Sequence, residues 1–231
     1  FGNPSTMSMI KTTLAEQAYQ ELRARIIDVR LSGGTRLLPN DLAADLGISP
    51  TPVKEACLRL EADGLVVTTA RRGMAVRRFT EADVERLYAA RILIETGALE
   101  ATFEATFEAG RIDAALKAQL SEHLEGHHAH ASGTTLDDLS RALSHDRAFH
   151  SALVEAARID LISETHARIL SQTHTLFGSV PGDYARSVQE HRAIFDAIAA
   201  DDAGGAVAAL VAHLKRSREN TLRQVRMLAK A

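Results

Sequence analysis

Tryptophan is absent from the 231 residues, cysteine occurs once, proline five times, and aromatic residues make up only 4%. A lone thiol, Cys57, forms no intramolecular disulfide and fits a reducing cytoplasm, the expected location. It also excludes cysteine-rich zinc fingers and iron–sulfur clusters. With so few rings, a core must be built from Leu, Ile, Val and Ala, as in a helical bundle. No stretch approaches the roughly 18 apolar residues of a membrane span, so no membrane association is expected. The N-terminus lacks a basic stretch followed by an apolar core, so no secretory signal is expected. Hydrophobic residues at 45% and charged residues at 25% argue for folded rather than disordered chain.

Charge divides the chain. Residues 1–78 hold 11 Lys/Arg against 8 Asp/Glu (+3), and residues 79–231 hold 16 against 22 (−6). A basic front and an acidic rear suggest two domains, with only the front attractive to a polyanion.

Residues 1–8 read as an expression scar or tail, 9–78 as a front domain and 79–231 as a rear domain. Thr13 to Glu16 spells a capping box before a first helix ending near Val29. Pro39 to Leu46 reads as a second helix closed by Gly47, and Pro50 to Asp63 as a third, capped by Ser49 and closed by Gly64. The β-branched run Leu65 to Thr69, the turn Ala70-Arg71-Arg72-Gly73 and the return Met74 to Val76 spell a small hairpin with a basic tip. Beyond Thr80 the pattern is helical. Helices are expected at about 81–108, either continuous or broken near Tyr88, and at 111–126, 135–157, 160–177, 183–200 and 203–229. The fold class is therefore mainly α: a winged helix-turn-helix followed by an antiparallel bundle of six or seven helices.

Two short helices around Gly47-Ile48-Ser49 form a helix-turn-helix pattern. The start of the second carries Ser49, Thr51 and Lys54, with Arg59 one turn later. Hydroxyls and a helix N-terminus suit phosphate, and a basic side chain there reaches base edges. Arg71, Arg72 and Gly73 suit close approach to a narrow groove. The plain alternative is a packed helix pair with a solvated turn. The basic hairpin and the charge asymmetry favour double-stranded DNA.

The run Gly34-Thr35-Arg36-Leu37, Asp41-Leu42-Ala43, Leu46-Gly47-Ile48-Ser49, Thr51 to Ala56, Leu58 to Glu61, Asp63 to Val66 and Arg72 to Val76 resembles the winged helix-turn-helix of GntR-family bacterial transcription regulators over about residues 12–78. That resemblance implies a cytoplasmic homodimer bound to operator DNA, expected to act as a repressor. Asn40, Pro50 and Lys54 stand where the family usually has arginines. Lysine lacks the planar fork that reads guanine bidentately, so an altered operator is expected, with more work left to Arg36, Arg59 and the wing.

All ten histidines lie beyond residue 122. Asp146 and His150 share a helix face at i, i+4, between the apolar Leu143, Phe149 and Leu153. His191 and His213 lie about equally far from the turn at 201–205, hence at one height of an antiparallel hairpin. Three imidazoles and a carboxylate meeting inside a bundle suit a divalent metal ion: Zn, Ni or Mn. The plain alternative is a surface Asp–His hydrogen bond. Asp146 to His150, Glu190 to Ile194 and Ala212-His213-Leu214 resemble the effector-binding FCD domain of FadR-type GntR regulators, over about residues 80–225. The resemblance implies that these four residues are metal ligands and that the ion holds a small organic acid effector. The family often has Asn where Asp160 stands, which leaves one helix cap in question.

Arg91 either binds the effector carboxylate or pairs with Glu95. His166 and His174 roughly share a face; either could line the pocket, but partly buried or surface positions are expected, and the His123, His127, His128, His130 cluster is expected in a solvated loop. Cys57 is expected as a packed apolar residue. Three functions stand at this point: an effector-sensing DNA-binding regulator, a DNA-binding protein with a purely structural metal, and a metal-dependent hydrolase. No nucleophile motif or phosphate loop supports turnover, so an enzyme is not expected.

Overall fold

The computed structural model describes residues 12–28, 30–70, 73–105, 112–176 and 184–228. The expected tail at 1–8 and the wing-tip Arg71 and Arg72 lie outside them. Among the described residues no helix is long and apolar enough to cross a membrane.

Helix α1 spans Leu14–Ile27, α2 Pro39–Leu46 and α3 Pro50–Ala62. Strands β1 (Val66–Thr69) and β2 (Gly73–Val76) pair antiparallel, with Val66 opposite Val76 and Thr69 opposite Gly73. Arg36 bridges Ala75, so the segment before α2 lies along the free edge of β2. Leu22, Ile26, Leu37, Val53, Ala56, Cys57, Leu60 and Val76 close one buried core. Cys57 is packed within it as expected, and burial pushes its thiol pKa up. Gly47 takes the left-handed conformation (φ 67°) that ends α2 and turns the chain into α3. Ser49 precedes α3 without a side-chain cap. Pro52, at the third helical position, has no N–H for a hydroxyl to accept from. At α1 only half the expected capping box forms. The Glu16 N–H donates to Thr13 Oγ1 at 3.1 Å, while the Glu16 carboxylate accepts from Gln20 and Arg59.

The rear domain comprises α4 (Glu81–Ala105), α5 (Ala114–His130), α6 (Leu136–Glu155), α7 (Asp160–His174), α8 (Tyr184–Ala199) and α9 (Ala203–Leu228). Leu99, Leu120, Phe149, Leu153, Ile194, Ile198, Leu210 and Leu214 fill its centre. Two helices run further than one reading of the pattern suggests. Helix α4 runs through Tyr88, whose fully buried hydroxyl bonds Ser217 at 2.8 Å and Thr221 at 3.0 Å on α9. Helix α5 runs through Gly126 to His130. A side chain at Gly126 would collide with the His145 ring of α6, so this glycine serves close helix packing rather than a stop. Ile159, not Asp160, is the N-cap of α7, and it makes no side-chain cap.

The front domain rests on α7. Gln172 donates to the Asp63 carbonyl at 2.8 Å, and Arg23 of α1 donates to Ser171. Tyr19 donates to the Asp63 carboxylate at 2.6 Å, which fixes the end of α3 to α1 beside this contact.

Candidate metal centre and DNA-facing surface

Six helices send polar side chains to one buried point. Asp146 and His150 come from α6, His191 from α8 and His213 from α9. Each of the four is at most 8% exposed. His150, His191 and His213 meet as the spacing predicts, while Asp146 joins His191 in a group with His127.

The tautomers follow from the outer partners. A carboxylate only accepts, so His150 Nδ1 donates to Glu95 Oε2 at 2.7 Å and His213 Nδ1 donates to Glu190 Oε2 at 2.8 Å. Their Nε2 atoms are then bare acceptors, and they face each other at 3.3 Å. His191 Nε2 lies 3.1 Å from His150 Nε2 and 3.5 Å from Asp146 Oδ1. No proton is available between the two bare nitrogens. Zn–N bonds of roughly 2.0–2.1 Å place tetrahedral donors about 3.3–3.4 Å apart. The observed separations are those of neighbouring ligands around one ion. His150, His191 and His213 form one group able to hold a metal, and His127, Asp146 and His191 form a second that shares His191.

Electrostatics keep the donors ready. Burial pushes the pKa values of His150 and His191 down, so their rings stay neutral. Burial alone would raise the Asp146 carboxyl, but the His174 hydrogen bond and the nearby imidazoles hold it well below the usual range. Glu95 is treated likewise: burial opposes ionisation, and Arg91 and His150 overcome it. An ionised carboxylate and neutral imidazoles are the ligand forms a divalent ion requires.

Four residues assigned no ligand or orienting role from sequence belong to this centre. His127, expected in a loop, is 1% exposed on α5, and its Nδ1 lies 3.1 Å from His191 Nδ1. The run Leu120, Leu124, His127 falls on one helical face, a pattern that places His127 inward. His166 Nε2 donates to Glu95 Oε1 at 3.0 Å, and His174 Nε2 lies 3.1 Å from Asp146 Oδ2. Glu190 orients His213 although its chain neighbour His191 is itself a candidate ligand. Of the α5 cluster, His123, His128 and His130 are not brought to the centre, and His130 instead faces Asp138 at 3.5 Å. Arg91 makes the ion pair, with Nε donating to Glu95 Oε1 at 2.7 Å. Its Nη2 is buried with no partner among the described residues, a donor left over for an anion.

On the front domain, Ser49, Thr51 and Lys54 are exposed at the start of α3, and Arg36 is exposed beside β2. Thr51, Lys54, Glu55 and Leu58 form one uncovered face of α3. Gly73 is open, with φ 72°. Arg59 lies elsewhere: its guanidinium donates to Glu16 at 2.7 Å and stacks 4.1 Å from the Tyr19 ring.

A winged helix-turn-helix joined to a helical bundle with a buried Asp/His cluster is matched by two family models. Residues 14–76 match the bacterial regulatory proteins of the gntR family, and residues 83–216 match the FCD domain. The chain belongs to the GntR family and carries an FCD domain. It is 30% identical over 200 residues to an HTH-type transcriptional regulator of Streptomyces ambofaciens, covering 85% of this chain and 80% of that one. It is 29% identical to the HTH-type transcriptional regulator YdhC of Bacillus subtilis, covering 88% and 89%. Among solved structures, a GntR regulator from Rhodococcus sp. RHA1 superposes with a TM-score of 0.77 at 24% identity, covering 90% and 97%. McbR/YncC of E. coli superposes at 0.78 with 19% identity, covering 93% and 99%. At these identities the two superpositions speak for the fold alone. GntR regulators bind DNA and are not catalysts, so family membership decides between regulator and hydrolase.

Proposed function

We propose that this GntR/FCD regulator is a homodimeric repressor whose bundle binds a divalent ion through Asp146, His150, His191 and His213, and through it a small carboxylate effector. The observation that carries the reading is the convergence of the His150 and His213 acceptor nitrogens, 3.3 Å apart, with the proton of each ring committed to Glu95 or Glu190. Facing lone pairs in a buried site repel, and a cation between them removes the conflict. An ion bound there would supply a Lewis acid for the effector carboxylate. Arg91 Nη2, buried and unpartnered, is the residue best suited to hold the effector's other oxygen.

Operator contact is assigned to Arg36, Ser49, Thr51, Lys54, Arg71, Arg72 and Gly73. Arg59 joins them only by leaving Glu16. Pro50 and Pro52 remove two N–H groups from the start of α3, so Lys54 and the hydroxyls carry more of the phosphate contact there.

Effector binding alters operator affinity only if the two head arrangements bind the acid unequally; a tenfold difference is about 1.4 kcal/mol. The complete burial of the cluster favours one second reading, a closed structural ion. The test is operator affinity measured against a panel of small carboxylic acids, with and without chelator. A change that chelation abolishes supports sensing. Operator binding indifferent to every acid, in protein that chelation destabilises, supports the structural ion.

A further inference from the structure

A cavity of about 320 Å³ lies between the front domain and the bundle, away from the histidine cluster. Arg23 reaches it from α1, Ser144, Arg147 and Ser151 from α6, and Ser171 from α7; among the described residues no acidic one lines it. Arg147 Nη1 is buried with no partner among the described residues. Arg23, a like charge, lines the same cavity. Asp28 and Asp146 act on Arg147 through space, but among the described residues neither forms an ion pair with it. Arg23 finds only a neutral partner here, the Ser171 hydroxyl. Two guanidinium groups therefore share a partly enclosed space with three hydroxyls, and neither has an ion-pair partner among the described residues. Burying an uncompensated charge is costly, and a guanidinium pairs best with a planar or tetrahedral oxyanion.

We propose that this cavity is a second ligand site, which takes the phosphate or carboxylate group of a small metabolite and clamps it between Arg23 of the front domain and Arg147 of the bundle. The site is separate from the metal centre, yet both stand on α6. Ser144, Arg147 and Ser151 occupy one face of that helix, and Asp146 and His150 the adjoining one. An anion here neutralises the two arginines and links α1 to α6 beside the Arg23–Ser171 and Gln172–Asp63 hydrogen bonds.

The test uses the full chain and inorganic phosphate or acetate as probes, read by thermal unfolding. For a dissociation constant of ~1 mM, about 10 mM ligand raises the midpoint by roughly 3–5 °C. Phosphate also stabilises proteins by exclusion from their surface, so the comparison among variants is the readout. The rise is expected in the wild type and in Arg141→Gln, a control that removes an exposed arginine of α6. It should vanish in Arg23→Gln and in Arg147→Gln, and return in part in Arg147→Lys. His150→Gln, which damages the metal centre, should keep it, so the two sites fail independently. No rise with either probe in the wild type, or an equal rise in Arg23→Gln and Arg147→Gln, overturns the proposal.

Discussion

Glu190 accepts a hydrogen bond from His213 Nδ1 at 2.8 Å across the α8–α9 hairpin, while its chain neighbour His191 turns into the bundle. One dipeptide thus contributes a candidate ligand and the group that orients another. Outer partners of this kind fix the ring and raise its basicity. Glu190→Gln keeps an acceptor but removes the charge. Metal affinity, measured by competition with a chelator, is expected to fall about tenfold, at the low end of the roughly 10–100-fold range for such changes. Stability without metal should change less than metal affinity, because the arginine partners of Glu190, Arg186 and Arg216, are partly exposed.

Glu95 should behave differently. It accepts from Arg91, His150 and His166 while fully buried. Glu95→Gln leaves the Arg91 charge buried without its counterion. Removing one partner of a buried pair costs about 3–5 kcal/mol. The variant is expected to lose that stability in chemical denaturation and to bind metal more weakly as well. A loss confined to metal affinity would place Arg91 in a more solvated setting than the structure gives it.

Acid should destabilise the metal-free protein in a defined window. Burial pushes the His174 pKa down to about 3, against roughly 6.5 in an unfolded chain. Its neutral ring favours the folded state fully above about 6.5, where neither state binds a proton. The contribution declines as pH falls toward 3, because only the unfolded ring protonates over that range. His174→Gln should therefore flatten the dependence of unfolding free energy on pH between about 6.5 and 4.5. An unchanged slope would show that His174 titrates normally in the folded state.

The wing and α3 make a prediction about DNA. Neutralising Lys54, Arg71 and Arg72 should weaken operator binding and flatten its salt dependence. Each lost phosphate contact changes the slope of log affinity against log salt by about 0.9, so about 3 units per protomer disappear if all three touch phosphate. A slope unchanged by the triple substitution would reject these residues as backbone contacts. Arg59, held by Glu16 and Tyr19, should contribute little to that slope.

Much of this was legible in the sequence because it rests on short-range spacing. Asp146 and His150 at i, i+4, and His191 and His213 about equally far from one turn, predicted the converging donors. The helix-turn-helix was legible from Gly47 and the apolar positions around it. The remaining members depend on tertiary packing. His166 and His174 share a face in the sequence, but only the approach of α4 and α6 shows that the face is buried against Glu95 and Asp146. His127 was assigned to a loop because Gly126 resembled a helix end, and the reason for that glycine, the His145 ring, lies on another helix. Arg59 sits on the recognition helix, but its pairing with Glu16 is a contact 43 residues away that no local pattern encodes.

The most direct test is metal uptake by the chelator-treated chain, followed by calorimetric titration with Zn, Ni and Mn and by elemental analysis after dialysis. The account predicts a single tightly held ion per chain, lost in His150→Ala and in His213→Ala. A chain that takes up no ion, or one whose uptake survives removal of those two imidazoles, contradicts it.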